Sequence, residues 1–135
     1  MPRTLQLDPG FTHLLAAQDQ VVTRRQAQAA GLNNDAIAHR AAYSGWCELL
    51  PNVFLTHRGE PARRQRLVAA LLWAGPDAAI DHRDACRFHG ITGVAVDDDF
   101  VYVVVPANSG RRSTSFVRVR RSASPFRVVR TTHLR

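Results

Sequence analysis

Residues 20–46, QVVTRRQAQAAGLNNDAIAHRAAYSGW, decide the reading of the chain. Thr23 is placed to cap a helix, and Gln26, three residues on, supplies the reciprocal half of a capping box. Ala27 and Ala30 continue a small apolar face, and Gly31 falls where a helix C-terminus needs a residue that tolerates positive φ. Leu32 is the apolar plug of the turn, and Asn33 or Asn34 is a natural N-cap for a second helix. There Ile37 and Ala41, four apart, face the first helix, leaving Asn34, His39, Arg40 and Tyr43 on the outer side before Gly45 ends the run. This is the pattern of a helix-turn-helix, whose second helix enters the DNA major groove. An ordinary helical hairpin carries the same pattern.

The neighbouring residues favour the first of these. Residues 46–50 (WCELL) and 53–56 (VFLT) are two short apolar, partly β-branched runs around Pro51-Asn52, the signature of a β-hairpin. A hairpin directly after such a helix is a wing. Upstream, residues 11–17 (FTHLLAA) predict a short apolar helix started by Asp8-Pro9, and Val21-Val22 an extended step into Thr23. Helix, strand, helix, turn, helix and hairpin make residues 9–60 a winged helix-turn-helix.

Beyond the loop at 57–60, Pro61 suits the first turn of a helix in which Leu67, Ala70, Leu71 and Ala74 recur at helical spacing until Gly75-Pro76-Asp77 stops it. Residues 78–80 predict a short strand and 81–90 another helix capped by Asp81. The period then changes: residues 100–105 (FVYVVV) are a β-prone run stopped by Pro106, and residues 116–120 (FVRVR) alternate apolar and basic. Asn108-Ser109-Gly110 turns the chain between them, and residues 126–129 predict a third strand. The expected fold class is therefore α+β: the winged unit, then a second α+β unit over 61–135 with antiparallel strands. No closing element is visible before Arg135, so that unit is expected to be incomplete.

Composition bounds the function. An apolar content of 45% permits a real core. The longest apolar runs are far too short for a membrane span, and no charged start with a hydrophobic segment and cleavage site is present. With only Cys47 and Cys86, the reading is reduced thiols in the cytoplasm, with no membrane partner. All 18 basic residues are arginine, and the net charge of +7 suggests a polyanionic partner. Its distribution is uneven. Residues 1–60 are neutral overall, 61–110 carry −1, and 111–135 hold eight arginines and no acid. The stretch RRSTSFVRVRR could lay Arg118, Arg120 and Arg121 on nucleic-acid phosphates, face an acidic protein, or be solvated.

Two constellations hold residue types capable of chemistry. His82, Cys86 and His89 fall at i, i+4 and i+7, zinc-ligand types on one helix face to which Asp81 or Asp84 could add an oxygen, but the fourth ligand is not obvious and no CxxC or HExxH pattern accompanies them. Buried His and Cys in a helix pair are the commoner arrangement, and no metal is assigned. Asp97-Asp98-Asp99 could chelate a divalent cation, yet successive residues point in different directions and a solvated loop is the simpler account. Nothing argues for an enzyme or a cofactor.

The blocks TRRQAQAAGLNNDAIAHRAAYSGWCELLPNVFL (23–55), RLVAALLWAGPDAAIDHRDACRFHGI (66–91) and VYVVVPANSGRR (101–112) together resemble the N-terminal half of AbiEi-like antitoxins of bacterial type IV toxin–antitoxin systems. The resemblance covers about residues 14–121 and rests on patterns of small and apolar residues. Where that family usually has Gly-Val-Tyr in the wing, this chain has Asn52-Val53-Phe54, and Asn also tolerates positive φ. Asp81 stands where a Ser commonly precedes the His. The resemblance implies a transcriptional regulator that represses its own toxin–antitoxin operon. Its partners would be double-stranded DNA and a cognate toxin. On that reading Asn34, His39, Arg40 and Tyr43 meet bases, and Thr23, Arg24, Arg25 and Arg58 lie on the DNA-binding face, the arginines on phosphates. The alternative is a toxin-binding interaction module with the winged fold as scaffold.

Overall fold

The computed structural model describes residues 9–81 and 100–122, which form a mixed α+β fold. The expected helix over 81–90, the strand at 126–129, the His82/Cys86/His89 group and Asp97–Asp99 lie outside the described residues, Asp81 excepted. In chain order the elements are α1 (Pro9–Ala17), β1 (Val21–Thr23), α2 (Arg24–Ala29), α3 (Asn34–Tyr43), β2 (Cys47–Leu50) and β3 (Val53–Leu55). There follow α4 (Arg63–Ala74), β4 (Ala79–Ile80), β5 (Val101–Pro106) and β6 (Val117–Ser122). No helix among the described residues is long and apolar enough to cross a membrane.

The turn between α2 and α3 forms as its residues dictate. Thr23 Oγ1 accepts from the Gln26 N–H at 3.0 Å while Gln26 Oε1 accepts from the Thr23 N–H at 3.0 Å, closing the capping box. Gly31 takes φ of +104°, and the Leu32 N–H reaches back to Ala27 O (3.0 Å) and the Gly31 N–H to Gln28 O (3.0 Å). These are the two bonds of a Schellman ending, with Leu32 as its buried apolar contact. Asn33, rather than Asn34, is the N-cap of α3, its Oδ1 accepting from the Ala36 N–H at 2.8 Å. Asn34, one residue further on, is free to point its carboxamide elsewhere. Ile37 is 1% exposed, as its spacing predicts, but Ala41 is exposed. The inner stripe of α3 is instead Ala36, Ile37 and Arg40, whose guanidinium lies 5.6 Å over Trp46.

The first sheet has strand order β1-β3-β2, all antiparallel, with Val21 opposite Leu55 and Cys47 also opposite Leu55. Both of its faces are covered, because successive side chains of a strand point to opposite sides. Val22 and Phe54 join Phe11, Ala27, Leu32, Ile37 and Trp46 under α1–α3. Val21, Val53, Leu55 and Leu50 face the other way, onto α4. The β2–β3 turn places Asn52 at φ +63°, the left-handed conformation its amide side chain tolerates.

Helix α4 lies between the two sheets and is buried nearly all round: Leu67, Val68, Ala69, Ala70, Leu71 and Trp73. Pro61 precedes it by two residues instead of opening its first turn. Gln65 ties down its start. Gln65 Oε1 accepts from the Ala62 N–H (2.9 Å), and its Nε2 donates to Asp19 O (3.0 Å) and to His57 Nε2 (2.8 Å). An amide nitrogen only donates, so His57 Nε2 is the acceptor, and its Nδ1–H donates to Arg58 O at 2.8 Å. Arg64 adds an ion pair to Asp19.

The second sheet has order β4-β5-β6 and is mixed. β4 runs antiparallel to β5, but β5 and β6 are parallel, with Val101 opposite Val117 and Pro106 opposite Ser122. This corrects the expectation of antiparallel strands for that pair. Alternation of apolar and polar residues is the same for either direction. The direction is set by the connection over 107–116, which does not close a hairpin but carries the chain back to the start of β5. There the Val101 N–H donates to Phe116 O at 2.8 Å. Val101, Val103 and Val117 bury their side chains against the α4 core.

Candidate nucleic-acid interface

Helix α3 buries a single side chain deeply, Ile37, and turns Asn34, Asp35, Ala38, His39, Ala41, Ala42 and Tyr43 outward. Tyr43 is 72% exposed, and its ring stands 4.9 Å from that of His39 one helical turn earlier. Asp35 in the first turn and the Arg58 guanidinium at the far end both complement the helix dipole. Arg58 reaches Tyr43 O at 3.5 Å and folds its side chain over Gly45. With φ of +82° at Gly45, a Cβ there would come within 2.4 Å of Arg58 Cγ, so glycine serves both the backbone turn and the close approach.

The candidate base-reading residues divide into two groups. Asn34, His39 and Tyr43 share the exposed surface of α3. Arg40 is half-buried and leans back on Trp46. The Thr23 hydroxyl is used as the α2 cap. Arg25 is exposed, at the rim of a shallow groove with Gln26, Ala29, Leu72 and Pro76, and has no hydrogen-bond or ion-pair partner among the described residues.

Arg24 is the most connected of the set. Its Nε donates to Asn52 Oδ1 (3.0 Å) and its Nη1 to Asn34 Oδ1 (3.1 Å). Its Nη2 lies 3.9 Å from Glu48 Oε2, and its guanidinium carbon sits 5.1 Å over the Phe54 ring. Glu48 Oε2 accepts from the Asn52 N–H at 3.1 Å, and Gln28 Nε2 donates to Asn34 Oδ1 at 3.0 Å. The start of α3 and the tip of the hairpin are thus joined through one side chain. Glu48 and Gln28 were not singled out from sequence, and Asn52 was read there only as a turn residue. Gln28 left a trace, falling four residues after Arg24 on the same face of α2.

Arg118, Arg120 and Arg121 do not form a row of free cations. Arg118 lies 4.0 Å over the Phe100 ring and donates to Ser115 O (3.0 Å) and Val117 O (3.3 Å). Arg120 forks onto Asp81, Nε to Oδ2 at 3.1 Å and Nη2 to Oδ1 at 3.0 Å. Asp81 is 7% exposed, and this hydrogen-bonded carboxylate raises the Arg120 pKa above its ordinary value. Arg121 donates to Ser109 O (3.1 Å) and Arg111 O, holding the 107–116 connection against β6. All three guanidiniums therefore have roles inside the fold.

No protein-family model matches the chain, and no curated protein sequence matches it.

Proposed function

We propose that the chain is a DNA-binding transcriptional regulator of the winged helix-turn-helix type, using residues 9–60 to occlude its own promoter. In that scheme α3 is the recognition helix and β2–β3 the wing. The observation that carries the reading is a short helix anchored by one buried isoleucine, its outer surface offering Asn34, His39 and Tyr43, with a hairpin following at once in the chain. The element order from α1 to β3 and the capped Gly31-Leu32 turn support it. The sequence resemblance to AbiEi-like antitoxins extends the proposal to autorepression of a toxin–antitoxin operon, with a cognate toxin as second partner. No step of this role calls for catalysis or a cofactor.

Fluorescence anisotropy against the DNA upstream of the chain's own gene, with a scrambled duplex of the same composition, tests it. The intact chain is expected to prefer the upstream DNA, and His39→Ala to reduce that preference by the equivalent of about 1–3 kcal/mol, the discrimination of a good base contact. Equal binding of both duplexes by the unaltered chain refutes the proposal.

A further inference from the structure

The carboxamide of Asn34 has only one orientation open to it. Its neighbour Arg24 Nη1, at 3.1 Å, belongs to a group with five N–H donors and no acceptor. The atom of Asn34 facing Arg24 is therefore its carbonyl oxygen, and the second bond to that oxygen, from Gln28 Nε2 at 3.0 Å, agrees. Arg24 cannot swing aside freely, because its Nε is held by Asn52 Oδ1, its face lies against Phe54 and Glu48 is close by. Among the described residues, the Asn34 NH2 group donates to nothing, and the residue is exposed at the first position of α3.

Resting on the DNA-binding reading above, we infer that Arg24 is a positioning residue that locks Asn34 with its NH2 group outward, so that the start of α3 selects guanine rather than adenine. A free asparagine pairs with adenine by accepting from N6 and donating to N7, which requires its oxygen and its nitrogen together. With the oxygen turned inward, only two N–H donors remain. Guanine meets them with O6 and N7, both acceptors, whereas adenine offers one acceptor beside a donor that opposes them. The guanidinium of Arg24 acts through Asn34 and makes no phosphate contact of its own.

The test is selection from a pool of random-sequence duplexes, read position by position, with the full chain and three variants. The unaltered chain should enrich guanine at the one position whose preference Asn34→Ala abolishes. Arg24→Met frees the carboxamide and should shift that position toward adenine, while the other positions keep their bases. Should Arg24→Met fail to fold, Asn52→Gly keeps the left-handed turn, removes only the acceptor that braces Arg24, and is expected to blur the same position. The salt dependence gives an independent readout: the slope of log affinity against log salt should be unchanged in Arg24→Met, whereas a lost phosphate contact lowers it by about 0.9. A pool that yields no enrichment at all overturns the DNA-binding reading and the inference with it. Enrichment in which the Asn34-dependent position is not guanine, no position depends on Asn34, or the slope falls by about 0.9 overturns the inference and leaves the DNA-binding reading standing.

Discussion

Ile37→Ala is the sharpest test of how α3 is seated. Ile37 is 1% exposed among Phe11, Val22, Ala27, Leu32, Trp46 and Phe54, and the change removes three carbons from that cluster. At about 0.8 kcal/mol per buried methylene the transfer cost is about 2.4 kcal/mol. A residual void of roughly 40 Å³ at about 24 cal/mol per Å³ adds about 1 kcal/mol, because aromatic neighbours on three sides relax little. The total is about 3 kcal/mol. With an unfolding entropy of about 2.1 cal/mol/K per residue over the chain, the melting temperature should fall by about 10 °C. Circular dichroism melts of Ile37→Ala and Ala41→Gln, run side by side, decide the matter. Ala41 shares the apolar spacing of Ile37 yet is exposed, so Ala41→Gln should stay within about 0.5 kcal/mol of the parent. A shift under about 3 °C for Ile37→Ala, or an equal loss for Ala41→Gln, would mean that the helix is rotated from the position described.

Four further outcomes are expected. Arg120→Gln should lower the melting temperature by removing the forked, charge-assisted pair on the buried Asp81 carboxylate, while Arg112→Gln, which alters an exposed side chain, should leave it unchanged; equal melts would mean that the Arg120–Asp81 pair adds nothing to stability. Gly45→Ala should cost about 1–2 kcal/mol in urea denaturation through its positive φ and its approach to Arg58, and the loss should shrink in an Arg58→Ala background. Gln65→Ala should cost about 1–2 kcal/mol, since it frees the Ala62 N–H and the Asp19 carbonyl together. In the parent, ¹⁵N spectra should show His57 as the Nδ1–H tautomer, and finding the Nε2–H form would break that network.

Features governed by near neighbours in the chain were legible before any coordinates. The Thr23–Gln26 box, the Gly31-Leu32 ending and the left-handed Asn52 each depend on residues within about five positions, and each forms as its residue types require. Ala41 misled because a methyl group carries so little burial energy that its spacing says little about which way it faces. The β5–β6 direction was hidden because period-2 alternation is blind to strand polarity. The partners of the tail arginines were out of reach for a different reason. Charge counting sees eight cations, but Arg118 and Arg120 find partners, Phe100 and Asp81, 18 and 39 residues away in sequence. Arg24 likewise looked like a surface cation until Asn34, 10 residues on, and Asn52, 28 residues on, were brought to its two ends.

The double burial of α4 has a consequence for the chain while it is being made. Everything needed for β1-β3-β2 has been synthesised once Leu55 is added, yet Val21, Leu50, Val53 and Leu55 have nothing to rest against until α4 is complete at Ala74. At about 5–20 residues per second that interval lasts about 1–4 s, long against the microseconds in which a hairpin closes. During it the nascent sheet presents an uncovered apolar face that any chaperone, or a neighbouring chain on the same message, can engage. Rare codons placed between 56 and 74 would lengthen that window, and fast ones would shorten it. Synonymous changes there are therefore expected to alter the soluble yield of a protein whose amino-acid sequence they leave untouched.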